Sequence, residues 1–172
     1  MGVRNYLIEG VSGAGKTTVA EELQRRGEHV VHGDRELAYL GDPETGRPLD
    51  ALAGADEADR IRWRHERHIW DVEKVRSLVA DQGHARSFFC GGSRNSHHVI
   101  DLFDGVFVLE VDPDTLGRRL AGRLDDEFGG KPLERALVFR LHATREDLPK
   151  DAVSIDATAP VGRVVDEILS QC

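Results

Sequence analysis

The chain has 172 residues, of which 40% are hydrophobic and 31% charged, and this composition is typical of one globular domain without a membrane-spanning segment. The formal net charge of −8 argues against a nucleic-acid-binding protein, because phosphate contacts favour a basic surface. Two isolated cysteines and the lack of a signal-peptide pattern predict a cytoplasmic protein, and we expect neither nucleic acid nor a membrane among its partners.

The chain begins with a predicted strand–loop–helix unit. A short apolar run predicts a strand at residues 6–9, and apolar residues at helical spacing predict a helix at residues 16–26. Between them, residues 10–17 read Gly-Val-Ser-Gly-Ala-Gly-Lys-Thr, a complete G-x-x-x-x-G-K-T phosphate-binding loop. Because a strand precedes this loop and a helix follows it, the motif predicts binding of a nucleoside triphosphate.

The residue types of this loop fit the chemistry of a bound triphosphate. Glycines allow the backbone to curl so that successive N–H groups point at phosphate oxygens. Lys16 can bridge the terminal phosphates, and the Thr17 hydroxyl can bind Mg²⁺. We therefore expect ATP and Mg²⁺ as cofactors, with Thr17 as a metal ligand. The predicted nucleotide contacts are Gly10, Ser12, Gly13, Ala14, Gly15, Lys16, Thr17 and Thr18.

The rest of the chain alternates between short apolar runs and helical patterns. Residues 37–52 are predicted to be mostly loop, and residues 56–80 one long helical stretch. Further strands are predicted at residues 29–32, 87–90, 105–111 and 153–156, and further helices at 114–124, 133–141 and 161–169. This alternation predicts an α/β fold with a parallel sheet and helices on both faces. Ligands of such sheets bind at the carboxyl ends of the strands.

Asp34 lies at the end of the second predicted strand. Its carboxylate could orient a substrate hydroxyl and accept its proton, or it could cap the next helix. Arg35 beside it could hold an anionic substrate or form a surface ion pair. Arg94 follows the third strand after two glycines, and it could contact substrate or belong to a plain turn.

Three arginines lie on the helix after the fourth strand. Arg119 and Arg123 share one helical face and could clamp the triphosphate, whereas Arg118 lies on a neighbouring face. The alternative is a solvated face paired with the acidic residues at 125–127. Residues 128–132 follow, and their glycines suit a lid that closes over the site.

One or two arginines of the 56–80 stretch could reach the substrate cleft.

The sequence contains only weak indications of metal binding. A second acidic group for Mg²⁺ is not evident, because Cys90 ends the third strand and the facing of Glu110 is ambiguous. The histidine pairs at 65/68 and 97/98 have no cysteine or carboxylate at ligand spacing, so zinc is not expected.

Together, the early phosphate loop, Asp34, the arginine-bearing helix and the ending Ile-Asp-Ala-Thr-Ala-Pro at residues 155–160 resemble the small P-loop kinases. This group includes shikimate, gluconate, nucleoside and nucleoside-monophosphate kinases and some antibiotic phosphotransferases. The resemblance covers the whole chain and implies a three-layer P-loop NTPase fold, with a five-stranded parallel sheet in the order 2-3-1-4-5 and a lid segment. It further implies that the nucleotide base packs near Arg118 or Arg119 and residues 156–160.

The resemblance implies a single P-loop kinase domain over residues 1–172, with a substrate-binding segment at about 35–85 and an arginine-bearing lid region at about 115–150. The chain departs from individual members. Cys90 is followed by Gly-Gly-Ser-Arg, which matches neither the gluconate nor the nucleoside-monophosphate kinase phrase, and His32 stands where shikimate kinases usually carry an acid. The phosphate acceptor therefore stays open.

The leading interpretation is an ATP-dependent small-molecule kinase that transfers the γ-phosphate to a hydroxyl of a small metabolite or nucleoside. Its predicted catalytic residues are Lys16, Asp34, Arg119 and Arg123, with Asp34, Arg35 and Arg94 at the substrate and Arg118 at the nucleotide. Two alternatives stay open: a nucleoside-monophosphate kinase, and an ATP-binding regulatory module with slow hydrolysis. The expected partners are a nucleoside triphosphate and a small acceptor, and the chain is expected to be a monomer or homodimer.

Overall fold

A computed structural model describes residues 3–172. In chain order the strands and helices are β1 (Arg4–Glu9), α1 (Lys16–Arg25), β2 (His29–His32), the single turn α2 (Gly33–Glu36), β3 (Ala38–Leu40), α3 (Glu57–Glu66), β4 (His68–Trp70), α4 (Val72–Ala80), β5 (Arg86–Cys90), β6 (Gly105–Glu110), α5 (Pro113–Ala121), α6 (Pro132–Thr144), β7 (Val153–Asp156) and α7 (Val161–Ser170). Two short 3₁₀ turns, Ser96–His98 and Ile100–Leu102, lie between β5 and β6. Within residues 3–172, no helix combines the length and apolar character needed to cross a bilayer.

Five of the strands form one parallel sheet in the order β2-β5-β1-β6-β7. When only the strands of this sheet are counted, the order is 2-3-1-4-5, so the predicted topology is confirmed. The central strand β1 pairs on both sides, with Ile8 opposite Cys90 of β5 and Phe107 of β6. Pairing on both edges explains why this strand is buried along almost its whole length.

Each face of the sheet packs into its own hydrophobic core, because alternate strand residues point to opposite faces. Ile8 and Phe88 belong to the core that includes α1 and α7, whereas Leu7 and Phe89 belong to the core that includes Trp70 and α4. Helices therefore cover both faces, as the sequence predicts. This three-layer packing leaves the carboxyl ends of the strands open, which is where the phosphate loop and Asp34 lie.

The prediction of one helix over residues 56–80 is wrong. The segment contains two helices, α3 and α4, separated by the strand β4, and β4 pairs antiparallel with β3 in a small second sheet. Residues 37–52 thus contain a strand within the predicted loop. The Asn95 side chain accepts a hydrogen bond from the backbone N–H of Trp70 at 2.9 Å and donates one to its carbonyl at 2.9 Å. These long-range bonds hold the segment extended, and helical periodicity alone does not reveal them.

Trp70 also determines the conformation of the chain just before Asp34. A methyl side chain at Gly33 would lie 2.1 Å from Cζ2 of Trp70, so only glycine fits there. The fully buried indole thereby supports the turn that carries Asp34. In this way β4, which the sequence patterns did not reveal, positions a predicted site residue.

Candidate active site

Two cavities open at the carboxyl edge of the sheet. The phosphate-loop cavity, of about 750 Å³, is lined by the loop residues Ser12 to Thr18, by α5 and by residues 157–161. The central cavity, of about 470 Å³, lies beside it and is lined by residues of α3, α6 and the segments after β1, β2 and β5. Ser12, Lys16, Asp34 and Phe128 line both cavities. The two cavities therefore meet at a lysine and a carboxylate.

The phosphate loop has the curled backbone that its glycines predict. Gly13 and Gly15 have φ angles of 90° and 104°, which side-chain-bearing residues rarely adopt. Lys16 donates hydrogen bonds from Nζ to the carbonyls of Gly10 and Val11, the latter at 3.1 Å. Burial lowers the pKa of Lys16, and the carboxylates of Asp34 and Glu9 oppose that effect. The ammonium group thus lies at the loop that is expected to hold phosphates.

The loop residues divide between the two cavities. Thr17 and Thr18 are exposed at the start of α1 and line the phosphate-loop cavity, whereas Gly10 lines the central cavity. Thr17, which carries a hydroxyl, and Asp34, which carries a carboxylate, both line the phosphate-loop cavity. Hydroxyl and carboxylate oxygens are the donors that Mg²⁺ prefers, so these residues fit the predicted metal.

Arg119 on α5 and Arg123 just after it both contact the phosphate loop. The predicted helix over residues 114–124 extends too far, because α5 ends at Ala121, so the two arginines do not share a helical face. Arg119 donates to the Ala14 carbonyl at 2.9 Å and to the Ala157 carbonyl at 2.8 Å. Arg123 donates to Oγ of Ser12 at 2.7 Å and to the carbonyl of Phe128. Both arginines line the phosphate-loop cavity. None of the ion pairs among residues 3–172 joins either arginine to the acidic residues at 125–127, so the solvated-face alternative does not describe them.

Arg118 points elsewhere. It is exposed, donates to Oγ1 of Thr115 at 3.1 Å and is not among the residues that line either cavity. Of the two arginines that were expected near a nucleotide base, Arg119 is the one beside residues 157–161.

Asp34 lies within the turn α2, and its side chain is 56% exposed towards the cavities. Its Oδ1 lies 3.1 Å from Nε2 of His68 on β4. His32, not Asp34, is the capping residue of α2, so the helix-cap alternative is wrong. Burial raises the pKa of Asp34, but the hydrogen bond from His68 and the charge of Lys16 outweigh it and hold the pKa below its usual value. Arg35 is exposed and lines neither cavity.

Glu9 is a site residue that the sequence patterns did not reveal. It is the last residue of β1, only 2% exposed, and its carboxylate lines the central cavity. Among residues 3–172 it forms no salt bridge. Burial raises the pKa of Glu9 to about 7, against the opposing charges of Arg94 and Lys16. The one sequence feature that could have indicated Glu9 as a site residue is its position as an acidic residue at the end of an otherwise apolar strand.

The raised pKa predicts that Glu9 makes stability depend on pH. Its pKa is near 4.5 when unfolded and about 7 when folded, so the folded state binds the proton more tightly and stability falls as pH rises between these values. We expect the unfolding free energy of the wild type, relative to Glu9→Gln, to fall by up to about 3 kcal/mol over that range. Denaturant unfolding without nucleotide measures this difference.

The exposed Glu21 on α1 provides the control for loss of a carboxylate, as Glu21→Gln. The prediction is contradicted if the difference in unfolding free energy between the wild type and Glu9→Gln stays constant from pH 4.5 to 7.

Arg94 takes part in a half-buried charge cluster. It pairs with Asp147, which also contacts Nε2 of His65 on α3. The side chains of Arg94 and Asp147 are each 17% exposed. Burial raises the pKa of Asp147, but the His65 hydrogen bond and the Arg94 charge keep it below its usual value. All three residues line the central cavity, and so does Arg64, one of the arginines expected to reach the cleft.

Neither Cys90 nor Glu110 supplies the second acidic group that was sought for Mg²⁺. Burial raises the pKa of the Cys90 thiol to about 12, so it stays protonated, and Glu110 pairs with Arg145 at 2.6 Å away from both cavities. Among residues 3–172, one group has metal-binding geometry: Glu44, His97 and His98, all exposed and outside both cavities. The fold thus places the Glu44 carboxylate beside His97 and His98, which have no carboxylate at ligand spacing in the sequence.

Comparison with known proteins provides independent information. Residues 7–135 match the protein family described as AAA domain, whereas no curated protein matches the chain. A shikimate kinase from Bacteroides thetaiotaomicron has a similar structure, with a TM-score of 0.60 and 14% identity over 98% of this chain and 97% of that chain. A sugar kinase from Janibacter sp. HTCC2649 has a TM-score of 0.55 and 20% identity over 98% and 93%. A shikimate kinase from Acinetobacter baumannii, in complex with shikimate, has a TM-score of 0.57 and 18% identity over 98% and 94%.

These similarities extend over nearly the whole length of both chains, and at such low identity they show a shared fold. The fold predicted from the alternation of strands and helices is therefore confirmed. The family match covers more than half of the sequence, including the phosphate loop and α5. The chain belongs to the AAA domain family and has the fold of the small P-loop kinases.

Proposed function

We propose that the protein is a Mg²⁺- and ATP-dependent phosphotransferase that moves the γ-phosphate to a hydroxyl of a small metabolite or nucleoside. The observation that carries this proposal is the meeting of the two cavities at Lys16 and Asp34. One cavity is built around a phosphate-binding loop, and the other has the size of a small-molecule site. A phosphate held by the loop would therefore face a molecule in the central cavity.

The positions of the residues in the phosphate-loop cavity support a role for each of them. The loop N–H groups and Lys16 would hold the β- and γ-phosphates, and Arg123 beside Ser12 would neutralise charge that develops during transfer. Arg119 and residues 157–161 would contact the base. Thr17 would hold Mg²⁺, with Asp34 reaching it through water, and the ion would neutralise phosphate charge.

Asp34 would orient the acceptor hydroxyl and take its proton as the oxygen forms a bond to the γ-phosphorus and ADP leaves. Its exposed carboxylate at the junction of the cavities supports this role. The hydrogen bond from His68 fixes its orientation. The low pKa keeps it ionised at neutral pH, so it can accept a proton.

The lining of the central cavity supports the proposed acceptor segment and lid region. Residues 35–85 contribute Leu40, Ile61 and His68 to it, which supports their role as the acceptor-binding segment. Residues 115–150 contribute Phe128, which lines both cavities. Closure of that segment would exclude water from the transferring phosphate. The protein is proposed to act as a monomer or homodimer.

The comparisons support the proposal by fold: the similar structures include a sugar kinase and a shikimate kinase with shikimate bound. A panel assay tests it. ADP release would be measured with ATP and Mg²⁺ against sugars, polyols, nucleosides, nucleoside monophosphates and aminoglycosides. We expect at least one hydroxyl-bearing acceptor to raise ADP release above the basal rate. If only nucleoside monophosphates do so, the protein is a monophosphate kinase, and if nothing does, slow hydrolysis in a regulatory module is favoured.

A further inference from the structure

We infer that the central cavity selects a neutral or amine-bearing polyhydroxyl acceptor over one that carries a carboxylate or phosphate, and that Glu9 contacts this acceptor. The inference rests on the proposed function for the role of the cavity as the acceptor site. It is carried by the distribution of paired and unpaired charges along the cavity wall.

The wall of the central cavity has more carboxylates than lysine and arginine side chains. Five carboxylates and three such cations line it, and each of its two histidines already contacts one of the carboxylates. One of the cations, Lys16, also lines the phosphate-loop cavity and is assigned to phosphate. An anionic acceptor would therefore have to bind with the two arginines that are left, Arg94 and Arg64.

Arg94 already has a partner. Its guanidinium pairs with the Asp147 carboxylate and lies 3.5 Å from the Asp147 carbonyl. His65 contacts the same carboxylate, so side chains from two other segments converge on this acid. An anionic acceptor could use Arg94 only by breaking a pair in which both side chains are 17% exposed, and that would leave Asp147 without its cation.

Arg64 does not compensate for this. It is exposed at the rim of the cavity, where water screens its charge. Asp126, also exposed, lines the same cavity with the opposite charge. The rim as a whole therefore offers no strong preference for an anion.

Glu9 favours an acceptor that carries hydroxyl or ammonium groups. Its carboxylate is buried, lines the cavity and has no salt-bridge partner among residues 3–172. A methyl group at Gly92 would lie 3.4 Å from Oε2 of Glu9, and one at Gly91 would lie 3.0 Å from Oδ1 of Asp34. The two acids thus flank the same pair of glycines. A buried carboxylate needs hydrogen-bond donors, which hydroxyl and ammonium groups supply and carboxylates and phosphates do not.

Two sets of matched ligands test this selection. Glucitol, glucamine and gluconate share one carbon chain and differ only in the terminal group; adenosine, 5′-amino-5′-deoxyadenosine and adenosine-5′-carboxylate form the second set. Binding would be measured by calorimetry at pH 8, above the Glu9 pKa of about 7, with Mg²⁺ and a non-hydrolysable ATP analogue, so turnover is not needed. We expect the neutral or amine member of at least one set to bind at least about tenfold more tightly than its carboxylate, the size of one hydrogen bond to a charged group.

Three variants assign the selection to residues. Glu9→Gln should lower the preference for the amine over the neutral member by about tenfold, because the amide carries no charge. Asp147→Asn should raise affinity for the carboxylate member by about tenfold, because Arg94 is then free to pair with it. Asp101→Asn, at an exposed aspartate that lines neither cavity, is the matched control and should change neither ratio. Melting temperatures show that each variant is folded.

Equal or tighter binding of the carboxylate members would overturn the inference, and so would a failure of every neutral and amine member to bind. Unchanged ratios in Glu9→Gln would overturn the assignment to that residue. The proposed function can fail independently of this inference. Selective binding without phosphate transfer from ATP would refute the phosphotransferase and leave the selectivity intact. Transfer to a carboxylate-bearing acceptor in preference to its neutral match would refute the selectivity and leave the phosphotransferase intact.

Discussion

Replacement of Asp34 by Asn is expected to lower the rate of phosphate transfer by about 10²- to 10⁴-fold while ATP affinity stays within about twofold. The Asp34 carboxylate lies where the two cavities meet, is ionised, and is oriented by His68. Asparagine keeps the shape and can still contact His68, but it cannot take a proton from a hydroxyl. Steady-state turnover with the best acceptor and nucleotide binding by fluorescence titration measure the two quantities.

The exposed Asp101, which lines neither cavity, gives the matched control as Asp101→Asn. The control should keep wild-type turnover. Near-normal turnover in Asp34→Asn would mean that no base is needed, as in a nucleoside-monophosphate kinase, and would contradict transfer to a hydroxyl with Asp34 as its base.

Replacement of Lys16 by Met is expected to weaken ATP binding and to lower turnover by about 10²- to 10³-fold, the usual cost of removing one charge-stabilising donor. The ammonium group lies against the Gly10 and Val11 carbonyls of the phosphate loop and lines both cavities. Methionine has a similar length and no charge. Since burial already disfavours the charged lysine, the variant should not be less stable than the wild type.

Lys150→Met removes an exposed lysine that lines neither cavity, and it should leave ATP affinity and stability unchanged. Calorimetric ATP titration and thermal melting give the comparison. If Lys16→Met bound ATP with wild-type affinity and kept its turnover, the phosphate loop would not be the nucleotide site.

The phosphate loop and the sheet topology could be predicted from the sequence because both depend on local sequence patterns. Residues 10–17 specify a backbone geometry that only glycines at fixed positions permit, and Gly13 and Gly15 adopt it. The strands of the parallel sheet are short apolar runs separated by helical patterns, and each was located within a few residues. The connection rules of parallel sheets then limit the possible orders.

The middle of the chain could not be predicted because it is determined by long-range contacts. Residues 68–70 continue a helical pattern of apolar residues, but Asn95 hydrogen-bonds the backbone of Trp70 and β3 pairs with the strand. Asp71, inside the predicted helix, instead caps α4 by accepting from the N–H of Lys74 at 3.1 Å. Tertiary pairing here overrides local propensity.

The same limit applies to the central cavity. Arg94 and Asp147 are far apart in sequence, so nothing local shows that the one neutralises the other. Glu9 belongs to the first strand, and only its burial beside the Gly91–Gly92 turn makes it a site residue. Helical spacing predicts that Arg119 and Arg123 share a face, but α5 ends at Ala121, and only the packed structure shows that both arginines contact the phosphate loop.

The fate of the γ-phosphate tests the central claim most directly. With radiolabelled ATP, Mg²⁺ and the acceptor that gives the greatest ADP release, labelled acceptor and labelled inorganic phosphate would be separated and counted against the ADP formed. Transfer across the junction at Lys16 and Asp34 predicts about one labelled acceptor per ADP, because the proposed closure of the lid region would exclude water. Label that appears only in inorganic phosphate, whichever acceptor is supplied, would contradict the assignment of the two joined cavities as a phosphotransferase site.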